Sequence, residues 1–300
     1  MKKSVVWMRL LSVVLFSELA VAEVDMLGNG EGVQAEVTHA IKNTKVATLV
    51  TSCDSPVKGN DGLTWDGEYL WIADYDTRRA YRIDPSTCKS VSDIPLPGTY
   101  PNGLGWDGTS LWFADSGDDK IYKIDPKDGN ILSSFASPGV CPSGLTYNGS
   151  HLWNNDTNCK SIECTPDKTY KLTTGGSITL EFSAIADYPT GLAWDGTNLW
   201  LSDNSTNTIY KVNPADLSVL DSFPAPGAYP NDLAWDGRYL WVIDNGTDKI
   251  YKYDVGTPNC SDSDKDGVPD QWDRCPHTPV NAVTDKYGCK AKEKVVIVPL

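Results

Sequence analysis

Histidine is scarce in this chain: among 300 residues there are only His39, His151 and His277. No Ser-His-Asp arrangement and no paired glutamates can be assembled from equivalent positions along the chain. Basic residues are also in deficit, with 26 Lys and Arg against 40 Asp and Glu, a formal net charge of −14. Lys2, Lys3 and Arg9 against Glu18 leave +2 in residues 1–22, so −16 falls on the remainder. A surface that acidic repels phosphate backbones and excludes nucleic acid as a partner. It suits cationic partners or divalent metals. No C-x2-C pair exists among the eight cysteines, which argues against a zinc site. Beyond the N-terminus no stretch reaches the roughly 18 apolar residues of a membrane span. Nor does a helical period survive anywhere in 45–255.

The N-terminus reads as a secretory signal over 1–22. Lys2 and Lys3 supply the charge, Leu10 to Phe16 the apolar core, and Ala20-Val21-Ala22 the cleavage site. No transmembrane segment is expected after cleavage. An even cysteine count in an exported chain points to disulfides. Residues 23–44, polar and glycine-spotted, read as an N-terminal extension.

The body of the chain is a repeat. Copies open at Gly62 (GLTWDGEYLWIAD), Gly103 (GLGWDGTSLWFAD), Gly144 (GLTYNGSHLWNND), Gly191 (GLAWDGTNLWLSD) and Asp232 (DLAWDGRYLWVID), in steps of 41, 41, 47 and 41. Within the second copy, strands are expected at 103–106, 110–115, 120–125 and 131–136, with Asp107-Gly108 supplying the positive φ of a tight hairpin. Four strands in about forty residues is the signature of a β-propeller blade. The fifth copy runs into Gly256-Thr257-Pro258 without a fourth strand, while a strand at 45–51 precedes the first copy. The expectation is an all-β fold: a five-bladed propeller over 45–255, closed by its N-terminal strand.

Nine of the 11 tryptophans recur in register on first and second strands. Each buries about 150–250 Å², worth at most roughly 4–6 kcal/mol. They read as blade-to-blade packing. The pattern GLxWDGxxLWxxD with IYKID-P resembles the secreted propellers that include NHL and YVTN repeats and the glutamine cyclotransferases. That resemblance covers 45–255 and implies fold; such propellers host both enzymes and binding scaffolds. Gluconolactonase-type relatives would hold a metal with Glu, Asn and Asp, but Glu is scarce on the expected binding face. Virginiamycin lyase-type relatives use His, and His151 is expected on the opposite face. A glutamine cyclotransferase-type activity needs only acidic and aromatic residues.

Three residue sets are expected on the face holding the loops after strands two and four. Asp74, Asp115, Asp156, Asp203 and Asp244 end the second strands and read as caps for the following turns. Asp61, Asn102, Ser143, Thr190 and Asn231 open the first strands, vary between copies and are the ligand candidates. Tyr100, Tyr188 and Tyr229 precede prolines and serve either loop packing or a stacking rim. The third copy also carries an enlarged loop after Asp156, with Cys159 and Cys164, beside Cys141 in the preceding connection.

Residues 256–289 form a separate module. Asp262, Asp264, Asp266, Asp270 and Asp273 occupy positions 1, 3, 5, 9 and 12 of a calcium loop, with Gly267 at six and the Val268 carbonyl at seven. Hard oxygen ligands in this number suit calcium. The segment resembles a thrombospondin type 3 repeat, and its second half resembles linkers of outer-membrane protein A relatives. The resemblance implies a Cys275–Cys289 disulfide and a Gram-negative envelope setting. For the other cysteines, Cys260 is placed to reach Cys88, leaving Cys53, Cys141, Cys159 and Cys164 with three pairings; Cys260–Cys275 is the alternative. Residues 290–300 end the chain with the apolar VVIVPL. The reading that follows is an exported, calcium-binding, non-enzymatic propeller that binds an envelope or extracellular protein or glycan, in an adhesive or envelope role. A cyclotransferase- or lyase-type enzyme is the alternative.

Overall fold

The computed structural model describes residues 47–157 and 167–256. The expected signal, the N-terminal extension, residues 158–166 of the enlarged third-copy loop with Cys159 and Cys164, the expected calcium-loop residues, the Cys275–Cys289 pair and the C-terminal tail lie outside them. The chain begins with β1 (Thr48–Asp54). Blade one is β2 (Asn60–Trp65), β3 (Leu70–Asp74), β4 (Arg79–Asp84) and β5 (Lys89–Pro95). Blade two is β6 (Pro101–Trp106), β7 (Leu111–Asp115), β8 (Lys120–Ile124) and β9 (Ile131–Ala136). Blade three is β10 (Pro142–Tyr147), β11 (Leu152–Asp156), β12 (Lys168–Leu172) and β13 (Ile178–Ser183). Blade four is β14 (Pro189–Trp194), β15 (Leu199–Asp203), β16 (Thr208–Val212) and β17 (Val219–Pro224). Blade five combines β18 (Pro230–Trp235), β19 (Leu240–Asp244) and β20 (Lys249–Asp254) with β1 as its outer strand.

The inner strands touch in the cyclic order β2, β6, β10, β14, β18 and back to β2, so the ring is closed. The N-terminal strand lies at 48–54 rather than at the expected 45–51, and pairs antiparallel with β20. Its shift follows from register: Cys53 opposes Ile250 and Asp54 opposes Lys249, which requires the strand to run on to Asp54.

Between blades the core is built by the second-strand tryptophans. Trp71 packs among Leu104, Leu111 and Phe113 of blade two; Trp112 among Leu145 and Leu152 of blade three. Trp153, Trp200 and Trp241 repeat this towards blades four, five and one. All five are at least 97% buried, the most exposed being Trp71 at 3%. The first-strand aromatics behave differently. Trp65, Trp106, Tyr147, Trp194 and Trp235 are only partly buried and surround a small cavity of about 120 Å³ where the five inner strands end.

One acid explains why the Trp-Asp-Gly triplet recurs. Asp66, Asp107, Asp195 and Asp236 each turn one oxygen to the backbone N–H groups two and three residues on, closing the hairpin. The other oxygen accepts the indole N–H of Trp71, Trp112, Trp200 or Trp241 at 2.7–3.0 Å. It also faces Arg82, Lys123, Lys211 or Lys252 on the third strand at 2.8–3.7 Å. For Asp107, burial pushes the carboxyl up, but Lys123, Trp112 and Thr109 together outweigh it and hold the group below the usual range. Only the glycine of the pair takes positive φ, at 94° for Gly108. Blade three has Asn148 here. Its carbonyl oxygen accepts the Ser150 and His151 N–H groups, and the Trp153 indole N–H has no hydrogen-bond partner among the described residues.

A disulfide joins Cys53 of β1 to Cys88 in the β4–β5 turn. This corrects the expected Cys88–Cys260 pairing and the placement of Cys53 on the opposite side. The reason is sheet twist, which accumulates across four strands and swings the end of each outer strand towards the next blade. The same seat recurs elsewhere: Gly129 of blade two lies against the Pro95 end of β5, and Gly176 of blade three against Phe135 of β9. Cys141 is also disulfide-bonded, to a partner outside the described residues.

Candidate functional site

The propeller axis is too narrow for side chains from every blade. A Cβ on Gly103 would lie 2.3 Å from the Ser143 carbonyl oxygen, and one on Gly144 would lie 2.1 Å from that of Thr190. Four repeats therefore carry glycine at the start of the motif. The fifth carries Asp232, which is fully buried and fills the axis. Its carboxylate accepts backbone N–H groups from four blades: Leu63 at 2.7 Å, Leu104 at 3.3 Å, Leu192 at 3.1 Å and its neighbour Leu233 at 2.8 Å. Burial raises the Asp232 pKa well above the usual carboxylate range, and the four donors oppose that rise. Asp232 was not among the candidates read from sequence. The signal was present, as the single copy opening with Asp-Leu instead of Gly-Leu.

Above Asp232 the axis opens into a cavity of about 730 Å³. All five first-strand candidates, Asp61, Asn102, Ser143, Thr190 and Asn231, line it, together with Tyr100, Tyr188 and Tyr229. The five sit there because each opens an inner strand, one residue before the glycine or aspartate that packs on the axis. The tyrosines stand above them, on the connections that bring each outer strand back to the next inner strand. They remain 43%, 43% and 55% exposed, so they form a rim and not a packed core. In four of the five blades the residue after the second-strand aspartate also reaches the cavity, as Ser116, Thr157, Asn204 and Asn245. This set was missed; its sequence signal is variation directly beside an invariant aspartate.

The second-strand aspartates stand behind the cavity as caps. Asp115 accepts the Tyr100 N–H at 3.0 Å and the Asp118 N–H at 2.8 Å. Asp203 and Asp244 hold the Tyr188 and Tyr229 N–H groups in the same way, at 3.2 and 3.0 Å. Each cap ties the loop carrying a rim tyrosine to the end of a rigid strand. Asp156 does this for Cys141, at the position equivalent to the tyrosines.

The floor is not symmetric. Asn102 and Ser143 donate to the Pro142 and Pro189 carbonyls of the next blade at 3.1 Å each, and Thr190 to that of Pro230 at 2.7 Å. Asn231 donates to the equivalent Asn60 carbonyl at a longer 3.5 Å and, unlike the others, also to the Asp61 carboxylate at 2.6 Å. Burial lifts the Asp61 carboxyl to about 7; Asn231 opposes this, while Asp74 and Asp76 push it higher. Near Asp61, Tyr75 stacks on Tyr100 with ring centroids 5.0 Å apart. Burial, with Asp61 adding to it, takes the Tyr100 hydroxyl to about 12, so it stays protonated. Among the described residues no three His, Cys, Asp or Glu side chains gather to hold a metal ion. The arrangement offers one carboxyl that titrates near neutrality, a belt of amide and hydroxyl groups, and a tyrosine rim.

No family model matches this chain. It is 56% identical over 41 residues to outer membrane porin F of Pseudomonas aeruginosa, a match spanning 14% of this chain and 12% of that protein. Among solved structures it is similar to the glutaminyl cyclase of Myxococcus xanthus, with a TM-score of 0.58 and 12% identity, over 69% of this chain and 95% of that one. It is also similar to virginiamycin B lyase of Staphylococcus aureus, with a TM-score of 0.44 and 23% identity over 67% of each chain. At 12% identity the likeness to the glutaminyl cyclase is one of fold.

Proposed function

We propose that this chain is an exported binding propeller whose axial cavity receives a small polar ligand, or the polar end of an envelope protein or glycan. The observation that carries this reading is the cavity itself. It is polar at the floor and aromatic at the rim, and of the size that takes small organic ligands. The short match to outer membrane porin F supports an envelope setting. Residues 256–289 add a calcium-binding module through Asp262, Asp264, Asp266, the Val268 carbonyl, Asp270 and Asp273. Screening the mature chain by calorimetry against envelope saccharides and small polar solutes tests the binding reading. A ligand whose affinity falls about tenfold in Asn231→Ala supports it; failure of every candidate to bind counts against it. In the same format, calcium at millimolar levels is expected to stabilise the wild type and not Asp264→Ala.

A second reading, an enzyme of cyclotransferase or lyase type, is favoured by one observation: the Asp61 carboxyl near 7 beside Asn231 suits a general acid or base. The glutaminyl cyclase fold neighbour is consistent with it. Turnover of a glutaminyl peptide, lost in Asp61→Asn, would replace the first reading by this one.

A further inference from the structure

From the sign of the charge on the cavity wall and the chemistry of its rim, we infer that the axial cavity selects a small organic ammonium ion. The inference rests on the cavity being a binding site. Among the described residues that line it, Asp61 is the one ionisable carboxylate, and none is a Lys, Arg or His. Asn231 donates to one Asp61 oxygen, and among the described residues no donor meets the other. A neutral ligand covering the floor would strand that oxygen without water, whereas an ammonium group would neutralise it. The aspartates nearest Asp61, Asp74 and Asp76, add negative potential. The tyrosines facing it, Tyr75 and Tyr100, are neutral. Lys58, a cation on the adjoining loop, is already paired with Asp248 at 2.7 Å. At the rim, Tyr100, Tyr188 and Tyr229 keep exposed ring surface, the kind that attracts an organic cation.

The same wall argues against an anionic ligand. A carboxylate or phosphate would meet Asp61 with no cation among the described lining residues to offset it. It also gives the preference a pH dependence. The Asp61 carboxyl titrates near 7, so its charged form is nearly complete at about pH 8 and a few per cent at about pH 5.5. Affinity for a cation should therefore fall about 30-fold between those two conditions.

The test is isothermal titration of the mature full-length chain with choline and ethanolamine, against the uncharged 3,3-dimethylbutan-1-ol and ethylene glycol. At least one ammonium probe is expected to bind at least tenfold more tightly than its neutral counterpart at about pH 8. That affinity should weaken about 30-fold at about pH 5.5, and at least tenfold in Asp61→Asn at about pH 8. Circular dichroism of the variant checks that the fold is kept. Ammonium binding that survives Asp61→Asn, or neutral probes that bind as well as charged ones, overturns the inference. If an uncharged saccharide binds and loses affinity in Asn231→Ala while both ammonium probes fail, the cavity remains a binding site and the ammonium inference falls alone. If nothing binds, both fall.

Discussion

The two ends of the propeller axis are made from the same five strands and have opposite character. At the lower end, where the inner strands finish, four tryptophans and Tyr147 occupy equivalent positions around a cavity of about 120 Å³. At the upper end, where the same strands begin, the equivalent positions hold Asp61, Asn102, Ser143, Thr190 and Asn231 around a cavity six times larger. Construction imposes sameness, because each blade meets its neighbour with the same geometry. A binding site imposes difference, because a ligand lacks five-fold symmetry. Asp232 stands between the two ends and belongs to neither: it is unique in sequence, yet its hydrogen bonds serve the ring.

The largest effect should come from removing that divider. Asp232→Ala leaves several backbone N–H groups on the axis without an acceptor, at about 1–3 kcal/mol each before water enters and the buried charge is relieved. A net loss of about 3–5 kcal/mol is expected in urea denaturation. A loss below about 1 kcal/mol would mean that the axis hydrates freely and that the two ends communicate.

Next, blade four offers an aromatic at each end. Trp194→Ala removes a partly buried indole from the cluster around Trp153 and should cost about 2–3 kcal/mol. Tyr188→Ala removes a rim side chain and should stay within about 0.5 kcal/mol, while weakening any cavity ligand. Equal stability losses would erase the distinction between a built end and a working end.

The third test is electrostatic. The Asp61 carboxyl is raised in the folded state to about 7, so the folded protein holds a proton that the unfolded chain releases. Stability is therefore lost as pH climbs from about 4 to about 7 and does not return above it. Asp61→Asn should raise stability by about 1–2 kcal/mol near pH 8, after allowance for solvent screening, and by nothing near pH 4. Melting curves at both conditions check the sign. A variant that destabilises at pH 8 would show that the carboxylate is held by more than Asn231.

The smallest effect restores symmetry to blade three. Asn148→Asp should give the Trp153 indole an acceptor and Lys171 an ion partner, as in the other four blades, for a gain of about 1 kcal/mol. Ligand affinity at the upper end should not move.

The repeat was legible because its causes are local. The hairpin needs Gly108 at positive φ, the turn needs an acceptor at Asp107, and the indole of Trp112 lies within reach of that same acid. The upper residues were legible by contrast, as the positions where copies disagree. Asp232 was not, because its partners at 63, 104 and 192 meet it only once the ring has closed. Neither was the Asp61 pKa, which depends on burial that no spacing reveals. The Cys53–Cys88 pair was misplaced because assigning strand ends to an upper or lower face ignores twist.

The Cys53–Cys88 bridge also bears on the order of assembly. Strand β1 must wait for β20, about two hundred residues later, before it gains its hydrogen-bonded neighbour. Such distant pairings are slow, since chain ends must find each other before any contact rewards them. The cysteines are only 35 residues apart, so blade one can capture β1 long before blade five exists. In an oxidising compartment the nascent propeller thus carries a pre-mounted outer strand at its leading edge. The last three strands then dock onto a fixed template instead of searching for a loose end.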